Sequence, residues 1–141
     1  DPKKVRSLIL CQGKLYYELL ERKEELAAED VAIVRVEQLH PLPVPQLTEI
    51  FARYTNADQV RWVQEEPANM GAWPYMFRHL HTVPGAPAVQ AQHHIARPAS
   101  GAPATGSGVR SAIQQKRIIE EAFTDRPTAS QAPKNKTKVR A

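Results

Sequence analysis

The chain carries a single cysteine in 141 residues, Cys11, so no internal disulfide can hold it together, and a reducing compartment suits it. No apolar run approaches the roughly 20 residues of a membrane span, so no membrane partner is expected. The start, Asp1-Pro2-Lys3-Lys4, has neither a methionine nor a hydrophobic segment behind its lysines. It does not read as a secretory signal, and it suggests a piece of something longer. Gly13-Lys14 lacks the earlier glycine that a phosphate loop requires. A glycine allowing close strand-to-helix packing is the plainer reading. The five histidines have no complement of cysteines and carboxylates at ligand spacing, so no metal site is expected. A basic face is missing too. Residues 124–141 hold Arg126, Lys134, Lys136, Lys138 and Arg140 against Asp125, which accounts for the whole net charge of +4. The remaining body is neutral, so nucleic acid is not an expected partner.

What is present is a regular alternation of strand and helix patterns. Val5 to Leu10 is a short apolar run closed by Gly13, a buried strand. Leu15, Tyr16, Leu19 and Leu20 then recur at helical spacing, with Glu18 four residues before Arg22. Val31 to Val36 is a second strand, and the prolines at 41, 43 and 45 forbid a helix until after Pro45. From there Leu47, Ile50, Phe51 and Tyr54 mark one apolar helix face. Gln59 to Val63 is a third strand, ended by Pro67. Trp73, Met76, Phe77 and Leu80 mark the next helix, with Pro74 tolerable in its first turn. Val89 to Ala96 is a more polar strand candidate, which suggests a sheet edge. Residues 97–108 form a connector of glycine, proline and small residues. Ser111 with Gln114 makes a capping box, opening a last helix that buries Ala112, Ile119 and Phe123. From Thr124 the chain is polar and basic, and disorder is expected. The pattern predicts an α/β fold: a three-layer sandwich around a mostly parallel sheet, with domain boundaries at 1–123 and a tail at 124–141.

The most informative stretch is Val63-Gln64-Glu65-Glu66-Pro67-Ala68-Asn69-Met70-Gly71-Ala72-Trp73. A strand runs into two carboxylates and a proline, and Asn69 and Gly71 supply the freedom of a tight strand-to-helix turn. Paired carboxylates can act as general acid and base when crowding splits their pKa values. Adjacent strand residues diverge, however, so Glu65 and Glu66 are better read as turn acceptors or as groups facing a neighbouring domain. Trp62 and Trp73 bracket the turn as core filling or as an anchoring surface. Cys11 reads as a buried filler.

This stretch also resembles a known family. Together with Cys11-Gln12-Gly13-Lys14-Leu15-Tyr16-Tyr17, residues 31–43 (Val31-Ala32-Ile33-Val34-Arg35-Val36-Glu37-Gln38-Leu39-His40-Pro41-Leu42-Pro43) and Arg97-Pro98-Ala99-Ser100-Gly101-Ala102-Pro103-Ala104-Thr105-Gly106-Ser107, it is similar to the last, transketolase-type domain of the first component of the 2-oxoglutarate dehydrogenase complex. The resemblance implies a whole enzyme that decarboxylates 2-oxoglutarate, or its 2-oxoadipate homologue, with thiamine diphosphate and Mg2+. The succinyl group would pass to the lipoyl succinyltransferase component. It implies a homodimer, in the cytoplasm if bacterial and in the mitochondrial matrix if eukaryotic. Catalytic and cofactor contacts would lie in preceding domains, so this stretch would contribute no catalytic, cofactor or metal residue. Its structural and interface candidates are Gln64, Glu65, Glu66, Pro67, Asn69, Gly71 and Trp73. Some family members bind acetyl-CoA through a glutamine equivalent to Gln38 and a nearby basic pair. Val44-Pro45-Gln46 stands in place of that pair, so only Gln38 matches. The rival class is an autonomous, non-catalytic doubly wound module that binds a ligand or partner at its strand ends.

The tail supplies a first test. Deleting residues 126–141 is expected to leave the melting temperature nearly unchanged, because they offer little apolar area to bury. A scanning-calorimetry drop of more than a few degrees would contradict this.

Overall fold

A computed structural model describes residues 1–124. It contains four strands and four α-helices. The strands are β1 (Ser7–Cys11), β2 (Val31–Arg35), β3 (Gln59–Pro67) and β4 (Gln92–Arg97), and the helices are α1 (Leu15–Glu25), α2 (Val44–Arg53), α3 (Trp73–Leu80) and α4 (Gly108–Ala122). Every strand pair is parallel, in the order β2-β1-β3-β4. The chain therefore reverses its direction of travel across the sheet between β1 and β3, a doubly wound topology whose switch point lies beyond the carboxyl ends of those strands. β4 is an edge strand, as its polarity suggests.

β1 lies in the middle of the sheet and is buried along its whole length, so its side-chain alternation sorts the core into two halves. Leu8 and Leu10 join Val60, Trp62, Leu47, Phe51, Met76 and Leu80, the face covered by α2 and α3. Ile9 and Cys11 join Val63, Ile95, Leu15, Leu19, Ile118 and Ala122, the face covered by α1 and α4. A strand buried on both faces reads as a near-continuous apolar run, and Leu8-Ile9-Leu10-Cys11 supplies it after the buried Ser7. No helix of the described residues is long and apolar enough to cross a membrane.

Four boundaries differ from the sequence reading. The helix α2 begins at Val44, because Pro45 falls in its first turn, where no N–H is needed for the ladder. β3 continues to Pro67 rather than ending near Val63. Residues 89–91 form a 3-10 turn before β4. The helix α4 starts at Gly108 with Ser107 as its cap, its hydroxyl accepting from Arg110 N at 3.4 Å, so the Ser111 capping box is not used. The face α4 buries is Ile118 and Ala122; Ile119 and Phe123 are half-buried and Ala112 is exposed. The expected tail falls outside the described residues apart from Thr124.

The charge pairing on α1 also differs. Glu18 pairs with Lys14, and Arg22 pairs with Glu25 instead of Glu18. At the end of that helix Ala27 takes a left-handed φ of 48° while Ala28 N bonds back to Lys23 O at 3.0 Å. A side chain there is strained by about 1 kcal/mol relative to glycine. Ala27→Gly is expected to raise stability by up to about 1 kcal/mol in urea unfolding; a loss of stability would show that the turn is not strained.

Candidate functional site

The doubly wound topology directs attention to the carboxyl ends of β1 and β3, where Gly13-Lys14 and Gln64-Glu65-Glu66 come together. The pairing of β3 with β4 is irregular here. Val63 opposes Ile95 and Pro67 opposes Arg97, so β3 uses four steps where β4 uses two. The excess residues form a bulge at Gln64, Glu65 and Glu66, and bulges re-aim side chains at sheet ends. Pro67 has no N–H to give, and Ala68 N takes over, donating to Arg97 O at 2.9 Å.

Gln64 is buried and faces the α3 side beside Trp62. Its Oε1 accepts from Trp62 Nε1 at 2.9 Å, and its Nε2 donates to Pro67 O at 3.2 Å and Met70 O at 2.7 Å. The amide thus clamps the whole turn from inside. Gly71 lies against it with φ of 76°, and a Cβ there would stand 2.8 Å from Gln64 Nε2. Glycine is required on both counts. Asn69 ties the turn to the connector: its Nδ2 donates to Ser100 O at 2.9 Å, and its Oδ1 accepts from Ser100 N at 3.0 Å. Trp73, half-buried at the start of α3, stacks on His94 with ring centres 4.8 Å apart.

Glu65 points to the opposite face and belongs to a network joining four elements. Lys14 Nζ donates to Glu65 Oε1 at 2.6 Å and to Glu18 Oε1 at 2.8 Å. Gln115 Nε2 donates to Glu65 Oε1 and Glu18 Oε2, each at 2.9 Å. Arg97 in turn donates to Gln115 Oε1 at 3.0 Å and Ser111 Oγ at 3.2 Å. Burial opposes the ionised form of Glu18, but hydrogen bonds from Lys14 and Gln115 and the charges of Lys14 and Arg97 outweigh it and hold the carboxyl below its usual range. Hydrogen bonds to Glu18 and Glu65 raise Lys14 above the ordinary lysine value.

Glu65 and Glu66 are therefore not a pair. Glu66 is exposed, and the carboxylate that shares Lys14 with Glu65 is Glu18. Burial pushes Cys11 up to about 12, and its thiol donates to Val34 O at 3.9 Å, so it is no nucleophile. Gly13 is not needed for close packing, since a Cβ there would meet nothing within 4 Å. Its φ of 59° is what calls for glycine, and its N–H donates to Glu37 Oε1 at 3.0 Å. Gln38 is exposed in the loop after β2, its Nε2 folded back onto Pro41 O at 2.8 Å. It is not brought together with the other candidates. Sequence reasoning missed Lys14, Gln115 and Arg97; only Lys14 carried a signal, by standing four residues before Glu18 at a strand end.

The family model for the 2-oxoglutarate dehydrogenase C-terminal domain matches residues 1–123. The chain belongs to that family. It is 46% identical over 125 residues to the 2-oxoglutarate dehydrogenase E1 component of Azotobacter vinelandii, covering 88% of this chain and 13% of that one. It is 43% identical over 124 residues to the E1/E2 component of Corynebacterium glutamicum, covering 87% and 10%. The chain thus spans about a tenth of the curated relatives it matches. A solved split-gene transketolase, an inactive beta4 tetramer, aligns with a TM-score of 0.55 at 16% identity, covering 83% of this chain and 38% of its own. That likeness shows the fold, and it agrees with the transketolase-type α/β architecture of the family.

Two tests follow from the geometry. Gly71→Val is expected to cost at least about 1–3 kcal/mol, from positive φ alone, in denaturant unfolding; a wild-type midpoint would contradict the clamp. Acidification tests the network. The Glu18 contribution is present above its ordinary value of 4.5 and is lost as pH falls through the lowered folded-state value. The Lys14 contribution is present below 10.5 and is lost as pH rises through its raised value. Glu18→Gln should flatten the acid limb of a stability-against-pH curve; an unchanged limb would remove Glu18 from the account.

Proposed function

We propose that this chain is the structural C-terminal domain of a thiamine-diphosphate-dependent 2-oxoglutarate dehydrogenase component, completing the subunit and docking it in a homodimer. The family match over residues 1–123 supports the enzyme, and the relatives named above are 2-oxoglutarate dehydrogenase components of much greater length. The observation that carries the structural role is the use of the polar groups at the carboxyl edge. Gln64, Glu65, Glu18, Lys14 and Gln115 are bonded to one another, not aimed at a common point where a substrate could react.

The residues present do not fit thiamine diphosphate and Mg2+. The cavity at Glu65 and Glu66 has a volume of about 30 Å³, room for little more than a water molecule, whereas cofactor-sized sites span roughly 300–1,000 Å³. An open groove of about 430 Å³ between α1 and α4 has the wrong sign for a diphosphate: Glu18, Glu21, Glu25 and Glu120 line it against Arg22 and Lys116. Among the described residues no group of three His, Cys, Asp or Glu is arranged for a metal ion. In this reading decarboxylation and transfer to a lipoyl group on a partner component fall to the rest of the enzyme, and no step of them is assigned to residues of this chain. The alternative of an autonomous module is disfavoured by the match of residues 1–123 to a domain of much longer relatives.

Exposed Glu66, on a turn that Gln64 and Gly71 hold fixed, is the group offered to a neighbouring subunit. In the complete enzyme, Glu66→Gln is expected to weaken dimer assembly in sedimentation while decarboxylation per assembled dimer, followed with an artificial electron acceptor, stays at the wild-type level. An intact dimer without turnover would place Glu66 in the chemistry and overturn the structural reading. The chain alone should show no saturable micromolar binding of thiamine diphosphate with magnesium in calorimetric titration; such binding would overturn the assignment of the cofactor to other domains.

A further inference from the structure

A cavity of about 200 Å³ lies between the end of β4, the connector after it and the first turn of α4. It is lined by Arg97 and Arg110, with Ser100, Thr105 and Gln114 among the polar groups. Neither arginine forms an ion pair among the described residues. The Arg97 fork is held by neutral oxygens, those of Ser111 and Gln115, and its Nε is buried without a hydrogen-bond partner. The Arg110 side chain makes no hydrogen bond among the described residues either. Glu18 feels the charge of Arg97, but its two carboxylate oxygens are taken by Lys14 and Gln115.

Two guanidiniums beside one polar cavity whose lining contains no carboxylate is an arrangement completed by an anion. The first turn of α4 adds to the potential: it contains Arg110 and no acidic residue, although acids are the residues favoured there. Ser100 can also donate, because its Oγ accepts from Ala102 N at 3.1 Å and its own proton remains to be given. The Thr105 hydroxyl is already committed to Ser107 O at 2.8 Å. Size narrows the class. A volume of about 200 Å³ holds a tetrahedral oxyanion with a few further atoms and falls below the roughly 300 Å³ at which cofactor-sized pockets begin.

We propose that this cavity binds a phosphate group, free or as the head of a small phosphomonoester, between Arg97 and Arg110. Arg97 is held at the cavity wall by its neutral partners, which take one N–H of each terminal nitrogen and leave the second of each to be given, and Arg110, on the exposed first turn, closes over the anion. The cavity borders the Gln64 turn through Pro67 and Ser100, but the anion would be held by the side chains of Arg97, Arg110 and Ser100, none of which bonds to Gln64.

The test is an amide-resolved NMR titration of the chain with inorganic phosphate and, separately, with glycerol phosphate, each at constant ionic strength against chloride. Saturable shifts confined to residues 97–110, with a dissociation constant on the order of millimolar, are the expected result. The tighter of the two ligands identifies the free or the esterified source. Arg110→Gln should weaken binding by about tenfold, the loss of one charge-assisted contact, with the rest of the spectrum unchanged. Arg97→Lys keeps the charge without the fork and should also weaken it. Shifts that chloride reproduces, no saturation by either phosphate, or undiminished binding in Arg110→Gln would each overturn the proposal.

Discussion

A buried amide must satisfy one acceptor and two donors, and Gln64 meets that demand within its own neighbourhood, on Trp62, Pro67 and Met70. The carboxyl end of β3, the longest strand among the described residues, depends on this. β3 has to leave the sheet while still inside the core, through a proline that cannot donate, into a helix that starts six residues later. Each carbonyl freed by that exit would cost about 1–3 kcal/mol if left unpaired. Gln64 absorbs two of them, and the indole N–H of the largest core residue as well. Gly71 is the consequence, because only a residue without Cβ fits against the clamped amide.

The second constraint is electrostatic and lies on the other face of the same bulge. Glu65 would be an ion half-buried at a strand end without Lys14, and Lys14 also neutralises Glu18. One lysine between two carboxylates ties the start of α1 to β3, and Gln115 extends the tie to α4. Exposed pairs are individually weak, but a network with partly buried carboxylates and a neutral crosslink fixes geometry. The two faces of one strand end are thus held by two unrelated devices, an uncharged clamp and a charged crossing. Neither leaves a group poised to transfer a proton.

The fold was readable in the sequence wherever one interaction decided an element. The buried run Leu8-Ile9-Leu10 and the spacing of Leu47, Ile50 and Phe51 needed no tertiary information. Polar His93 and His94 marked an edge, because a central strand would have to bury them. Boundaries failed where a tertiary contact overrode a local rule. Pro67 stayed in β3 because its missing N–H falls at the bulge. Ser107 took the cap from Ser111 because the connector meets α4 a turn earlier. The site was legible as a turn, from Pro67, Asn69 and Gly71, but not as a network. Gln115 lies 50 residues from Glu65, and nothing in a helical glutamine announces a partner that distant. Arg61 was equally silent. It is buried in β3 between Val60 and Trp62 and donates to Ala122 O at 2.6 Å, satisfying a carbonyl at the end of α4.

The central claim is that the carboxyl edge of this sheet is built for rigidity, with Gln64 as its fixed point. The most direct measurement is urea unfolding of Gln64→Met, which keeps side-chain length and removes the three hydrogen bonds. The account predicts a loss of at least about 3 kcal/mol with an unchanged denaturant slope, since one indole N–H and two carbonyls lose their partner in the core at about 1–3 kcal/mol each. A midpoint equal to that of the natural sequence would contradict it.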